Sequence, residues 1–407
     1  MIKDIFELQN PWRQQPDCQF TQKPRDILNA LLDNIDNDKI IGIIGSRQVG
    51  KSSVLYLLIR HLLFERKISP ADIFYFNLDD LKLHELFENV PDFLNFIGKS
   101  DSPRRHVFID EAQRLPSPGL FLKEIHDLQL NLKIFYSGSS HLELKSKTRE
   151  YLVGRSRTFE LQRLSFEEYM QFNAPITPQE ALNEMLIYGA YPEVSLERNP
   201  TQKKLLIKDI FQTYVEKDIV DFSRIENVQA FNNLVKLVAM QSGKLLNLDS
   251  LSKALRLGRT LIEKYIQILE STFVVRRIYP FYRNYKKEII KTPKIYFLDL
   301  GLRNFILNNF NAVEFREDAG ILFENLYLLQ LLALDIYNSK KINYWRTTNG
   351  TEIDFIVQGE DEFSAIEVKW DKDTAPRSFK TIKQYYPGIT TRVVTRRHFL
   401  RSENRAE

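Results

Sequence analysis

The chain has 407 residues, 43% of them hydrophobic, with 57 Lys and Arg against 53 Asp and Glu for a net charge of +4. A single core stops growing at roughly 250–300 residues, so two or three domains are expected, and the near-balanced charge excludes a polycationic or polyanionic chain without deciding for or against nucleic acid. One cysteine, Cys18, and six histidines exclude an intrachain disulfide and a Cys/His zinc cluster, which fits a reducing cytoplasm. The first residues carry no signal-peptide pattern, and the most apolar stretch, Leu326–Leu334, is about ten residues too short to span a bilayer, so a soluble protein with no membrane segment is expected.

In chain order, the first third alternates short apolar runs with helical segments, the pattern of a parallel sheet covered by helices. Strands are predicted at Lys39–Ile44, Ile73–Asn77, His106–Asp110 and Leu132–Tyr136, with helices at Ser52–Leu63, Leu81–Phe96 and Leu120–Leu128. From Leu164 to Gln241 the sequence turns helical, with amphipathic segments at Glu180–Ile187 and Lys204–Ile219 punctuated by prolines. Two short helices, Leu248–Leu255 and Thr260–Leu269, flank a turn at Gly258 and lead into a strand-like Phe273-Val274-Val275. After Tyr282 the pattern is mixed: strands at Lys294–Phe297, Ile342–Trp345, Glu352–Val357 and Ala365–Val368, and a long helix at Ile321–Ile336. The expected division is 1–163, 164–282 and 283–407.

Gly45-Ser46-Arg47-Gln48-Val49-Gly50-Lys51-Ser52 matches the Walker A pattern between an apolar strand and an apolar helix, with Ser53 following. The glycines let backbone N–H groups wrap phosphates, the helix N-terminus attracts their charge, Lys51 reaches the β and γ phosphates, and the Ser52 hydroxyl holds Mg²⁺, so ATP (or product ADP) with Mg²⁺ is the expected ligand. His106–Ile109 runs into Asp110-Glu111, a Walker B arrangement in which Asp110 binds Mg²⁺ and Glu111 orients or deprotonates the attacking water. Ser137, in Ser137-Gly138-Ser139-Ser140 after the next strand, either senses the γ-phosphate or belongs to a turn that caps a helix. Arg155 is either an arginine finger, which requires a homo-oligomer, or a surface ion pair; Arg157 is an alternative finger.

The two short helices and the strand form a helix-turn-helix pattern of the winged type. Arg259, Thr260 and Lys264 lie on the polar side of the second helix, and Arg276, Arg277, Lys286 and Lys287 belong to a basic stretch interleaved with tyrosines, so DNA is the expected partner, with a protein-docking module as the alternative. Further on, Asp354 and Glu367 sit in apolar strands and Lys369 shares a face with Glu367. If the strands are neighbours, the two acids, with Glu324 from the long helix, make a metal site and Lys369 polarises a water, the chemistry of metal-dependent phosphodiester hydrolysis. The alternative is an ion pair between Lys369 and one of the acids, kept for folding.

On Gly45–Ser53, Phe108-Ile109-Asp110-Glu111-Ala112-Gln113, Ser137–Ser140, Leu152-Val153-Gly154-Arg155, Leu164–Tyr169, Tyr188–Glu193, and the C-terminal phrases Phe323-Glu324-Asn325, Tyr344-Trp345-Arg346, Glu352–Phe355 and Ile366–Lys369, the chain resembles prokaryotic AAA-type P-loop ATPases that carry a C-terminal domain of unknown function related to restriction endonucleases. The resemblance covers nearly the whole chain. It implies an α/β protein with a P-loop AAA-type ATPase core, a helical lid with a winged-helix segment, and a restriction-endonuclease-like C-terminal α/β domain. The function expected from residues and resemblance together is ATP binding and hydrolysis coupled to action on DNA by a metal-dependent, nuclease-like domain. The competing expectation is an ATP-dependent regulatory switch that binds DNA or a protein and keeps an inactive nuclease fold.

Overall fold

The computed structural model describes residues 2–15, 18–98, 104–139, 149–213, 225–282 and 292–400. The chain divides into two compact units, Met1–Leu161 and Gln162–Glu407. Among the described residues no helix is long and apolar enough to cross a membrane.

The first unit is built on five strands, β1 (Ile40–Ile44), β2 (Ile73–Asn77), β3 (Arg105–Asp110), β4 (Leu132–Gly138) and β5 (Ser156–Glu160), in the order β2-β3-β4-β1-β5. Every neighbouring pair is parallel. β1 reads Ile-Ile-Gly-Ile-Ile and is buried throughout, as a strand covered on both faces must be. Helices α1 (Lys51–Phe64), α2 (Val90–Ile97) and α3 (Pro118–Asp127) follow β1, β2 and β3. The single helix expected over Leu81–Phe96 is two pieces, a 3₁₀ segment Leu81–Phe87 and then α2. The cause is Pro91, which has no N–H to continue a helix from Leu81–Phe87 and whose ring would clash with the carbonyl four residues back; it is tolerated in the first turn of α2, where Asn89 caps by accepting from the Asp92 N–H. β5 escaped the sequence reading because only Phe159 of its five residues is fully buried, so it carries no alternating pattern.

The second unit begins with helices, among them α4 (Pro178–Tyr188), which opens on a capping box between Thr177 and Glu180. Next come α5 (Val228–Met240), α6 (Leu248–Leu255) and α7 (Arg259–Ser271), then an antiparallel pair, β6 (Val275–Ile278) and β7 (Lys294–Phe297). The turn between α6 and α7 uses Arg256 as its left-handed residue at φ 55°, whereas Gly258 is extended at φ −62°. After α8 (Leu300–Ile306) and α9 (Ala319–Leu334), strands β8 (Lys341–Arg346), β9 (Glu352–Gln358), β10 (Phe363–Val368) and β11 (Thr390–Val394) form a sheet in the order β11-β10-β9-β8. β8, β9 and β10 pair antiparallel, and β10 and β11 are parallel across the helix α10 (Arg377–Tyr385). One hydrophobic cluster contains Leu164, Phe166, Leu182 and Met185 together with Tyr296, Phe323, Phe355 and Ile366, so the helical segment and this sheet share a core.

A buried carboxylate organises that junction. Asp299 accepts from the Ala190 N–H at 2.9 Å and caps α8 by accepting from the Leu302 N–H at 2.8 Å. Burial pushes its pKa up, opposed by Arg163 and by these backbone donors. Gly189, at φ +77°, lets the chain pass within reach of the carboxylate, and at Gly301 a Cβ would come 2.0 Å from the Tyr188 carbonyl oxygen. Gly301→Ala is therefore expected to destabilise the protein by about 1–3 kcal/mol, the usual cost of overpacking, read as an earlier denaturant midpoint by circular dichroism; an unchanged midpoint would show that the Tyr188–Gly301 approach relaxes freely.

Candidate functional site

All five strands of the first sheet end on one edge, and the side chains singled out at residues 45–53, 110–111 and 137 meet there. β4 lies between β1 and β3, so the loop after β1, the acids after β3 and the serines of β4 form one row. Gln48 at φ 58° and Gly50 at φ +98° bend the loop so that its amides converge, and α1 opens at Lys51 with Gly50 as a cap that offers no side-chain acceptor to the first amides. A Cβ at Gly45 would lie 2.5 Å from the Leu161 carbonyl oxygen, so this position admits only glycine without rearrangement. Val49 is buried, and its carbonyl accepts from Arg25 at 2.9 Å, an anchor supplied by the N-terminal segment that sequence reading missed because an isolated arginine carries no pattern.

The Lys51 ammonium is buried and donates to the carbonyls of Gly45 (3.3 Å) and Ser46 (3.0 Å), with Glu111 3.8 Å away. Ser52 and Ser53 follow in the first turn of α1. The buried Ser46 hydroxyl has no hydrogen-bond partner within the described protein, an orphan of the sort a ligand relieves. Asp110 is held on both oxygens: the Tyr75 hydroxyl donates to Oδ2 at 2.7 Å and the Ser137 hydroxyl to Oδ1. Burial first, then the Asp110 charge, pushes the Tyr75 phenol far above its ordinary range, so it remains a donor. Glu111 sits in the left-handed region at φ 56°, uncommon for a residue with this side chain and typical of strain kept at functional positions. Its carboxylate accepts from the Ser139 hydroxyl at 3.0 and 2.9 Å and from the Gln113 amide, while its N–H donates to Ser137 Oγ at 3.0 Å. Ser137 thus supports the acids from β4; Ser140 lies outside the described residues. These groups fit a nucleotide triphosphate with its divalent cation: convergent amides, an orphaned hydroxyl, an ammonium and a fixed carboxylate.

Arg155 is elsewhere. Its backbone carbonyl accepts from Ile40, at the start of β1, so it lies at the opposite edge of the sheet from the loop after Ile44, about 15 Å away at the usual rise per strand residue. Its guanidinium is bidentate on Asp127 at 2.7 and 3.2 Å, the surface ion pair of the two alternatives, and Arg157 donates to Asn34.

In the second unit the DNA-facing expectation divides. Thr260 and Lys264 are exposed on α7, and Arg259 pairs with Asp249 at 3.2 Å on the surface. Arg277 does not project to solvent: Glu263 of α7 and Glu270 hold its guanidinium. Arg276 is half-buried, and Lys286 and Lys287 lie outside the described residues.

The C-terminal acids do come together. β9 and β10 pair antiparallel with Phe355 opposite Ile366, and the Val368 N–H donates to Asp354 Oδ2 at 2.8 Å. Glu324 of α9 joins them, but through Lys294 of β7, whose ammonium lies 2.6 Å from Glu352, 3.3 Å from Glu324 and 4.0 Å from Asp354. Tyr296 donates to Glu324 at 2.6 Å. Glu367 is taken by Lys369 (2.7 Å) and the Ser378 hydroxyl (2.8 Å). Among the described residues no group of three His, Cys, Asp or Glu is disposed to hold a metal. The expectation of a metal held by Glu324, Asp354 and Glu367 therefore does not match this arrangement, because lysines already stand among the acids. In sequence Lys294 stands at the end of a run rich in Lys and Arg that starts at Arg276, and only the fold carries it to the carboxylates.

Burial, then Glu324 and Glu367, pushes the Asp354 carboxyl up to about 8 from 3.8. The folded protein keeps this proton until pH about 8 while the unfolded chain releases it near 3.8, so the group lowers stability progressively as pH rises across that window. Asp354→Asn, neutral at every pH, is expected to gain in Tm relative to the wild type between pH 4 and 8 in metal-free buffer and to show no such trend below pH 4; a parallel pH profile for the two proteins would refute the raised value.

Comparison with known proteins agrees with the first unit's geometry. Residues 37–170 match the family model described as AAA domain, residues 179–312 match Domain of unknown function (DUF8612), and residues 319–405 match Domain of unknown function (DUF4143). Similar proteins include uncharacterized protein MJ1544 of Methanocaldococcus jannaschii, 25% identical over 90% of this chain and 81% of its own length. An uncharacterized protein of Haemophilus influenzae is 24% identical over 84% of this chain and 86% of its own. Among solved structures, the Walker-type ATPase PABY2304 of Pyrococcus abyssi aligns with a TM-score of 0.46 at 16% identity, covering 72% of this chain and 97% of its own. The ORC1 protein of Aeropyrum pernix, solved in complex with DNA, aligns with a TM-score of 0.33 at 13% identity over 73% and 96%. The AAA domain match spans the phosphate-loop segment and the acids after β3, in agreement with the P-loop geometry of the first unit.

Proposed function

We propose that this P-loop AAA-type protein is an ATP-driven switch: the first unit binds ATP with Mg²⁺ and hydrolyses it, and the nucleotide state governs a DNA-docking surface in the second unit. The observation that carries the hydrolytic reading is the row Lys51, Asp110, Glu111, Ser137 and Ser139 on one sheet edge. The amides of residues 45–53 and the Lys51 ammonium bind and orient the β and γ phosphates, which requires Lys51 to leave the loop carbonyls it contacts here. Ser52 and Asp110 would hold Mg²⁺, which when bound supplies positive charge to the phosphate oxygens. Tyr75 and Ser137 fix the Asp110 carboxylate, so little reorganisation accompanies binding. Glu111 accepts a proton from the attacking water at a carboxylate oxygen, and Ser139 sets the direction of that oxygen. Arg155 is given no step within its own subunit; a role for it in a neighbour's site needs a homo-oligomer and release from Asp127.

The test is nucleotide binding measured alongside turnover. Lys51→Ala is expected to lose ATP binding, and Glu111→Gln to keep it while turnover falls roughly 10²–10⁴-fold, the usual share of general-base catalysis. Wild-type binding without turnover would sink the hydrolytic reading.

For docking, the supporting observation is three helices, α5 to α7, followed by the antiparallel β6–β7 pair, a winged-helix order, with Thr260 and Lys264 exposed on α7. Lys264→Glu is expected to weaken duplex DNA binding several-fold in fluorescence anisotropy, with a shallower salt dependence. Unchanged binding moves the assignment to a protein partner. The competing reading, a cutting C-terminal unit, predicts Mn²⁺- or Mg²⁺-dependent nicking of supercoiled DNA that is lost in Asp354→Ala; the lysines set among Glu324, Glu352, Asp354 and Glu367 favour the switch.

A further inference from the structure

Lys294 is 3% exposed, although it closes the most basic stretch of the chain. An ammonium leaves water at high cost unless carboxylates meet it, and this one is met by Glu324 of α9 and Glu352 of β9, with the Asp354 carboxyl group of β9 4.0 Å away. We propose that Lys294 is the resident cation of the C-terminal acidic cluster: its ammonium takes the place among Glu324, Glu352 and Asp354 that a divalent metal would need, and the second unit binds no Mg²⁺ or Mn²⁺ while it is there.

Three features of the packing support this. First, the ammonium contacts the carboxylate oxygens that a metal would use, Glu324 Oε1 and Asp354 Oδ1, and a Mg²⁺ ion seeks such oxygens at about 2.0–2.1 Å, so lysine and metal exclude each other by contact and by like charge. Second, other donors of the chain also hold these acids. Tyr296 donates to Glu324, the Val368 N–H to Asp354, and Lys369 and Ser378 to the two oxygens of Glu367. Third, Lys294 is fixed at its backbone. It is the first residue of β7, paired with Ile278 of β6 and bridged to Leu245, and its ammonium lies 5.7 Å from the Tyr344 ring centroid, so withdrawing it requires the side chain to leave a packed site. The cluster then clasps β7, α9 and β9 together by charge, and the acid-and-lysine pattern that reads as a cutting site is neutralised from within the chain. The inference concerns the second unit alone and is independent of ATP hydrolysis at Lys51 and Glu111.

The experiment is Mn²⁺ binding to the full-length, nucleotide-free protein, followed by electron paramagnetic resonance of the free ion and by tyrosine-sensitised Tb³⁺ luminescence, in which Tyr296 and Tyr344 are reporters beside the cluster. Wild type and Asp354→Asn are expected to bind Mn²⁺ identically, since no metal resides there, and Lys294→Met to gain one site at least tenfold tighter that Lys294→Met/Asp354→Asn loses again. A folded Lys294→Met with no gained site overturns the proposal. So does wild-type binding that falls in Asp354→Asn or Glu324→Gln, a comparison that decides the matter even where Lys294→Met fails to fold.

Discussion

In a parallel sheet every strand points its carboxyl end the same way, and the candidate ATP site depends on that one geometrical constraint. Gly45, Asp110 and Ser137 are separated by 65 and 27 positions in the sequence, yet they share an edge because β1, β4 and β3 are parallel neighbours. The order of the strands adds the chemistry. With β4 between the phosphate loop and the acids, the hydroxyls of Ser137 and Ser139 reach Asp110 and Glu111, and a left-handed backbone at Glu111 turns its carboxylate toward Lys51. Strain and buried charge at one edge are supported by a β1 whose five residues are all buried.

The second unit is organised by buried charge of another kind. Asp299 ties the Gly189–Ala190 turn to the start of α8, and the carboxylates around Lys294 tie β7 to α9 and β9. Each such group repays its desolvation only through several partners at once, so these contacts select one arrangement of the elements. A core running from Leu164 to Ile366 then couples the helical segment to the four-stranded sheet, so a change in either is felt by the other.

The elements legible in the sequence were those whose own pattern suffices. β2, α6 and β7 occupy the residues predicted for them, because a short apolar run or a capped amphipathic run marks each one. β5 and β11 were missed: each presents only one fully buried residue, so burial leaves little pattern in the sequence. The long helix expected before residue 97 divides because Pro91 acts locally where the apolar periodicity does not report it.

For the candidate sites, the sequence by itself determined the phosphate loop and the acids after β3, since glycine spacing, a lysine and a serine at a helix start encode their geometry within a few residues. It also placed Glu367 and Lys369 on one face, because strand periodicity is local. Only the tertiary structure decided what surrounds them: Tyr75 and Ser139 on the acids, Asp127 on Arg155, Glu263 and Glu270 on Arg277, and Lys294 among Glu324, Glu352 and Asp354. The physical reason is that most of these partners lie far apart in sequence, and even those close by, such as Glu270 and Arg277, meet only because the chain turns from α7 into β6. The charge a side chain meets, which fixes whether a lysine faces solvent or replaces a metal, is a property of the folded neighbourhood and not of the local sequence.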